Sequence, residues 1–286
     1  MMREKNIYSV CGAGQWYADD PDVLRRDVRA CFNCQLPDDL AFPLIGGIAP
    51  HAGYAYSGSV AGHTYAALRA SAAKCGPPDV VVVLGFSHRP VGPGFALLDV
   101  SAIQTPLGQI PVEQEVTQLL LQMVPSARVD HAVHRGEHSA ENHLPLLQYA
   151  LPDVPVVVGC LCGHEVSDMQ AVGQALTELA ATRSVVCVAS TDLLHDASYE
   201  AVCQSDASTL QKMESLDSRG LLKAWSPTHQ VCCGIAPVTA LLHYVAASGG
   251  KQGRVLFYQN SGDIDPASRG HWVVGYGALV FEHDGE

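Results

Sequence analysis

Positive charge is what this sequence is short of. Its 286 residues carry 17 Lys+Arg against 29 Asp+Glu, for a formal net charge of −12. Nucleic-acid binding rests on clustered Lys and Arg that neutralise phosphates, so a nucleic-acid partner is excluded. Long apolar runs are also missing. The longest, Val80–Leu84, falls far short of the roughly 20 residues that a membrane-spanning helix needs, so no membrane partner is expected. There is no internal repeat, no low-complexity segment and no composition break that would mark a linker. The GxGxxG, P-loop and GxSxG patterns are absent, which leaves dinucleotide, nucleotide and serine-hydrolase readings without support. The first ten residues show no apolar segment followed by a small-residue cleavage site, so the expected location is the cytoplasm.

Potential metal donors, in contrast, are plentiful: 10 Cys and 13 His. A chain of this length buries roughly three quarters of its unfolded surface and needs neither disulfide nor metal to fold. The cysteines therefore read as reduced thiols. What matters is whether some of these donors gather into one site.

Short β-branched runs predict strands at Leu44–Ala49, Val80–Leu84, Phe95–Ile103, Val154–Gly159, Ser184–Ala189, Arg254–Tyr258 and Trp272–Phe281. Several are apolar on both faces, as central strands covered on each side must be. Helical stripes lie between them. Asp20-Pro21 opens one bearing Val23, Leu24, Val28, Cys31 and Phe32; the others run through Val60, Thr64, Ala67 and Leu68, through Val112, Val116, Leu119, Leu120 and Met123, and through Val238, Leu241, Leu242 and Val245. Strands alternating with helices predict one α/β domain with a sheet largely parallel in its centre.

Three of these strands run into a polar knot that contains a histidine: Pro50-His51-Ala52-Gly53, Ser87-His88-Arg89 and Ser190-Thr191-Asp192-Leu193-Leu194-His195. Ligand sites in open α/β sheets collect at the carboxyl ends of strands. A single such histidine reads as structural; three at one topological position point to a site. Gly53 and Gly85 are expected to serve tight turns there. Cys232-Cys233-Gly234 precedes the late helix, where nearby backbone N–H groups would lower a thiol pKa. Two histidines plus one anionic ligand is the composition of a mononuclear site with open positions. Glu137-His138-Ser139-Ala140-Glu141-Asn142-His143-Leu144-Pro145 has two readings. It is either a helix capped by Ser139 or Asn142 with Pro145 in its first turn, or a set of groups that orient metal-bound imidazoles. Cys31 and Cys34 have zinc-like spacing but no matching second pair, and Cys160 and Cys162 read as core packing.

Ala13-Gly14-Gln15-Trp16-Tyr17, Ile48 to Tyr54, Leu84 to His88, Glu137 to Pro145, Ser190 to His195, Cys233-Gly234, Asn260 to Asp263 and Val274-Gly275-Tyr276 together resemble the Memo family, in the family's order and over nearly the whole chain. The prokaryotic members called AmmeMemoRadiSam system protein B are the most similar. The resemblance implies a single Memo-like domain over residues 1–286. It also implies a fold like the catalytic subunit of class III extradiol dioxygenases (LigB-like): an α/β domain with a central, largely parallel or mixed sheet flanked by helices. Those relatives are non-haem Fe(II) enzymes that cleave catechol rings. By the family pattern His51, His88 and Cys233 are the metal ligands, for iron or copper, with a thiolate where the dioxygenases have a carboxylate. His195 takes the place of an acid/base histidine, with Asp192 beside it as a second catalytic candidate. Trp16, Tyr54, Glu137, His138 and His143 are expected to complete the pocket. The family also implies links to a radical-SAM enzyme and an AMMECR-type protein, and its animal member is described as an adaptor for phosphotyrosine peptides. This chain departs from the animal pattern in having Ile235-Ala236 after Cys-Gly, and in having Arg89 after His88, which would add a positive charge at the pocket rim.

Three readings follow. The first is an iron or copper oxidoreductase, dioxygenase-like in its site, acting on an unknown small molecule. The second is metal-free chemistry with Cys233 as nucleophile and His51 or His88 as base. The third is a non-catalytic module that binds a peptide or sequesters copper or iron.

Overall fold

The structure, a computed structural model, describes residues 6–250 and 252–283. In chain order it comprises β1 (Ile7–Ser9), α1 (Pro21–Cys31), β2 (Leu44–Ala49), α2 (Tyr54–Cys75), β3 (Val80–Phe86), β4 (Phe95–Leu97), β5 (Ala102–Thr105), β6 (Gly108–Pro111), α3 (Gln114–Met123), β7 (Ala127–Val129) and α4 (His131–His134). A 3-10 turn at Glu141–His143 leads into α5 (Leu144–Ala150), β8 (Val156–Leu161), α6 (Val166–Ala180), β9 (Val185–Ser190), β10 (His195–Asp196), α7 (Tyr199–Glu214) and α8 (Ser218–Ala224). The chain ends with α9 (Ile235–Ala247), β11 (Gly253–Asn260), α10 (Ser261–Ile264), a 3-10 turn at Pro266–Ser268 and β12 (Val273–Glu282).

The main sheet has nine strands in the order β10-β12-β2-β9-β3-β8-β4-β7, with β11 also paired to β12. Its centre, β2-β9-β3-β8, is parallel; β4 and β12 join it antiparallel. The result is one α/β domain with a mixed sheet between two layers of helices. Successive side chains of a strand point to opposite faces, and the core divides accordingly. Val80, Val82 and Leu84 pack with Val116, Leu120, Met169, Leu176 and Leu241 from α3, α6 and α9. Val81 and Val83 pack with Leu24, Val28, Tyr65, Leu68 and Leu146 from α1, α2 and α5. A strand covered on both faces can be apolar throughout, which is why Val80–Leu84 shows no alternation.

Two expected elements take a different form. Phe95–Ile103 is not one strand. After Leu98 the backbone changes partners: Ser101 bonds to the carbonyl of Asn6, and β5 joins β1 and β6 in a separate three-stranded sheet. Val112 lies outside its helix, bridging Val156, because Glu113 caps α3 by accepting the N–H of Glu115. The α1 start is as expected, with Asp20 accepting the N–H groups of Asp22 and Val23 ahead of Pro21. None of the described helices is long and apolar enough to cross a membrane, and all ten cysteines are free thiols.

Helices α1 and α2 meet where Gly62 faces the end of α1. A Cβ at Gly62 would overlap the carbonyl oxygen of Cys31, which belongs to the backbone and cannot rotate away. Gly62→Ala is therefore expected to destabilise the protein by about 1–3 kcal/mol or more, the usual cost of overpacking. A shift of the urea midpoint at constant m-value checks it.

Candidate metal centre

The parallel neighbours β2, β9 and β3 end side by side, and their carboxyl ends deliver His51, Asp192 and His88 to one edge of the sheet. Cys233 arrives from the segment before α9. Its N–H donates to the Asp192 carbonyl at 3.1 Å, and its Sγ accepts the Asp192 N–H at 3.2 Å. Gly234 permits this approach, since a Cβ there would strike the Ser190 carbonyl. His51, His88 and Cys233 each offer a donor atom within 4.8 Å of the others.

Hydrogen bonds set which atom each histidine presents. The Ser190 hydroxyl donates to the Ser139 carbonyl, so towards His51 Nδ1, 2.8 Å away, its oxygen accepts. The His51 proton therefore sits on Nδ1, and Nε2 keeps its lone pair 3.6 Å from Cys233 Sγ. His88 is held in the same sense by Glu137, whose carboxylate accepts Nδ1–H at 2.9 Å and the backbone N–H at 2.7 Å. A carboxylate or hydroxyl behind an imidazole fixes its tautomer and raises its basicity as a ligand. The His51 Nε2 thus faces the thiol, and the His88 ring is fixed by its Nδ1 bond to Glu137.

Charges at the site are shaped by burial. Burial raises the Glu137 carboxyl, but the His88 ring, its N–H and the Ser139 N–H outweigh this and hold it at about 2. Burial pushes His138 and His195 down to about 4, aided in both by repulsion from His88, and puts His51 well below its ordinary value. Asp192 is raised to about 7 by burial, against two backbone N–H groups. Cys233 departs from expectation. Burial and the Asp192 carboxylate push its thiol well above the ordinary value, outweighing the nearby N–H groups. A raised thiol disfavours a metal-free nucleophile, which needs a ready thiolate.

The remaining candidates sort by position. His138 lies flat between Trp16, at 3.9 Å between ring centroids, and His88, at 4.5 Å. With His88 and Glu137 it forms a second group of potential donors. The Tyr54 hydroxyl is committed to the Asn142 carbonyl at 2.8 Å, and its N–H bonds to the Trp16 carbonyl. His143 is fully buried behind the site near Tyr65 and belongs to neither donor group. Ser139 and Asn142 do not cap α5. Ser139 bonds both backbone groups of Phe86, and Asn142 donates to the His51 carbonyl, so the segment braces the two histidine-bearing strand ends. Gly53 and Gly85 do not adopt positive φ; Gly85 is needed because a Cβ would press on Ser139 and Ala140. Arg89 is exposed next to His88 in sequence, and its guanidinium donates to the carbonyls of Val133 and Arg135.

Sequence reasoning missed three contributors. Ser190 sets the His51 tautomer. Glu141 is buried and accepts the N–H groups of Cys11 and Gly12, which pins the loop that carries Trp16. Asp206, fully buried in α7, accepts the Leu194 N–H and the Tyr258 hydroxyl, which holds the loop between Asp192 and His195. No pattern in the sequence marks Asp206, whose burial arises only when α7 packs against β11 and β12.

The model of the Memo-like protein family matches residues 9–280. The chain belongs to the Memo family. A MEMO1 family protein of Methanopyrus kandleri is 35% identical, covering 94% of this chain and 96% of its own length. One from Methanothermobacter thermautotrophicus is 33% identical over 93% and 97%, and one from Thermotoga petrophila 32% over 94% and 98%. Among solved structures, an uncharacterized protein from Escherichia coli K12 aligns with a TM-score of 0.48 at 11% identity, covering 83% of this chain and 99% of that one. In this Memo-family chain, then, a His/His/Cys cluster able to coordinate a metal ion stands at the carboxyl edge of the central sheet, with a His/Glu/His group adjoining it.

The fully buried imidazole of His143 has no partner on either ring nitrogen, and burial holds it down at about 3, against an ordinary value of 6.5. Between these values the unfolded chain takes up a proton that the folded protein refuses. Its contribution to stability is therefore complete above pH 6.5 and is lost as pH falls toward 3. In His143→Leu, the fall in unfolding free energy between about pH 6 and pH 4 should be shallower by up to ~1.4 kcal/mol per pH unit. Denaturant titrations across that range measure the slope. Because no hydrogen bond is lost, stability at neutral pH should hold or rise.

Proposed function

We propose that the chain is a mononuclear iron or copper protein whose ligands are His51, His88 and Cys233, with oxidoreductase chemistry on a small molecule. The observation that carries this reading is the convergence of His51, His88 and the buried Cys233 thiol, whose donor atoms lie within 4.8 Å of one another, while both Nδ1 atoms are tied to Ser190 and Glu137. An imidazole braced by a carboxylate is the usual surrounding of a metal ligand. The donor set, two nitrogens and one sulfur, suits iron or copper and leaves open positions. Bound there, the metal supplies a redox couple and a place to hold a substrate beside it.

The chain's own groups support such chemistry. His195 lines the cavity beside Cys233, and burial keeps it neutral at pH 7, with its Nε2 buried and without a hydrogen-bond partner. Asp192 fixes the geometry by accepting the His51 N–H at 2.9 Å. His138 stacks on one face of His88 and is itself covered by Trp16. The proposal extends to a cytoplasmic role beside radical-SAM and AMMECR-type proteins. Sequestration of copper or iron without turnover is the alternative outcome.

Protein purified anaerobically should take up one equivalent of Fe(II) or Cu(I). His51→Ala, His88→Ala and Cys233→Ala should abolish uptake, and Glu137→Gln should weaken it by about 10- to 100-fold. Wild type without stoichiometric metal, or equal uptake by Cys233→Ala, would sink the proposal. The protonated Cys233 must release its proton to bind, whereas the neutral His51 releases none. Affinity should therefore rise by about tenfold per pH unit until the thiol ionises, as competition titrations at several pH values will show.

A further inference from the structure

A cavity of about 270 Å³ that shares no residue with the metal centre lies between α1, the β5–β6 hairpin and the stretch from Leu147 in α5 to Val154. Leu107, Ile110, Leu147, Leu151 and Val154 give it an aliphatic wall, and all of these but Leu107 are buried. Pockets for drug-sized ligands begin at roughly 300 Å³, so this one takes a smaller body. A water molecule occupies roughly 30 Å³ in the liquid, so the space holds about nine heavy atoms.

Its polar groups are cationic in a chain whose net charge is −12. Arg25 and Arg29 stand four residues apart on α1, so they share a helix face, and both line the cavity. The Arg29 guanidinium has no hydrogen-bond or ion-pair partner among the described residues. Arg25 pairs with Asp22 at 2.7 Å, but both side chains are more than half exposed. Such a pair holds weakly, so Arg25 can turn to a ligand. A third guanidinium, Arg69, lies 5.5 Å from the ring of Tyr149, another lining residue. Two groups oppose an anion: Asp153, which also lines the cavity, and the carbonyl end of the short α5. Gln148 is already committed to Thr105 and Gly108. Counting Asp22, three guanidinium groups face two carboxylates, and the balance is positive.

We infer that this cavity binds a small monocarboxylate with an aliphatic body, its head paired with Arg29 and Arg25 and its chain laid against Leu107, Ile110 and Leu151. The guanidinium fork matches a carboxylate in shape as well as charge. An exposed ion pair alone is worth little, and burial of the chain against the aliphatic wall supplies the rest of the affinity. A peptide ending in an apolar residue carries the same head, but its backbone N–H and C=O groups would meet that wall unpaired. The site needs no metal and stands independently of His51, His88 and Cys233.

Octanoate, 1-octanol and hexanoate separate head from tail. Titrated into the intact protein and followed by the methyl resonances of Leu107 and Ile110, octanoate should shift both signals. 1-Octanol, which lacks the charge, should bind about fivefold more weakly. Hexanoate, two methylenes shorter, should bind about tenfold more weakly than octanoate. Arg29→Gln, a change at an exposed side chain, should weaken octanoate about fivefold and leave 1-octanol unchanged. Asp153→Asn should tighten octanoate alone; Asn tolerates the φ of 69° at this position. Octanoate binding no tighter than 1-octanol, unchanged octanoate affinity in Arg29→Gln, or no shift with any probe overturns the inference. His88→Ala should bind octanoate as wild type does, whether or not wild type takes up metal. Loss of octanoate binding in that variant would place the carboxylate at the metal centre and overturn the inference.

Discussion

The buried carboxylate of Glu137 is the constraint around which the site is organised. A carboxylate out of water must have its lone pairs occupied. Here they are occupied by the His88 ring, the His88 N–H and the Ser139 N–H. Those three bonds keep the group ionised, hold the His88 ring by its Nδ1, and fasten the segment after α4 to the end of β3. Ser139 then bonds Phe86 and receives the Ser190 hydroxyl, which in turn sets His51. One acidic group thus propagates orientation across β3, β9 and β2, the three strands whose ends carry the donors.

A second chain of contacts closes the site from above. Glu141 binds the N–H groups of Cys11 and Gly12, the loop so held presents Trp16, Trp16 stacks on His138, and His138 stacks on His88. Rings packed face to face resist rotation, so His88 is restrained both through its Nδ1 and through its plane. Glu137 and Glu141 are four residues apart, yet one sits below the ligand and the other anchors the cover. The dense donors of this segment are bracing for the site rather than a helix cap.

Much of this was legible in the sequence, for a physical reason. A strand buried on both faces is apolar throughout, so its polar end stands out, and His51, His88 and Asp192 are read directly from where the runs at Leu44, Val80 and Ser184 stop. Cys233 is harder, because it enters from a loop and only the family pattern joins it to the histidines. Its protonation was misjudged because local N–H groups are visible in sequence, whereas burial and the facing Asp192 are not. His143 was placed in the pocket from its neighbours, but the turn at Glu141–His143 rotates it into the core. The split of Phe95–Ile103 depends on partners more than ninety residues away in chain order at Asn6, which no local pattern reports.

The resting charge of the site narrows what it can accept. Cys233 keeps its proton, and His51, His138 and His195 are neutral near pH 7. Glu137 holds a full negative charge, and Asp192, raised to about 7, holds a partial one. The centre is therefore mildly anionic, and Arg89, the nearest cation in sequence, is turned toward carbonyls. An incoming cation meets attraction and must displace only the thiol proton, so charge favours its entry on both counts. An anion meets the carboxylates of Glu137 and Asp192. The scarcity of positive charge in the composition thus recurs at the site, where the groups Glu137 and Asp192 are both carboxylates.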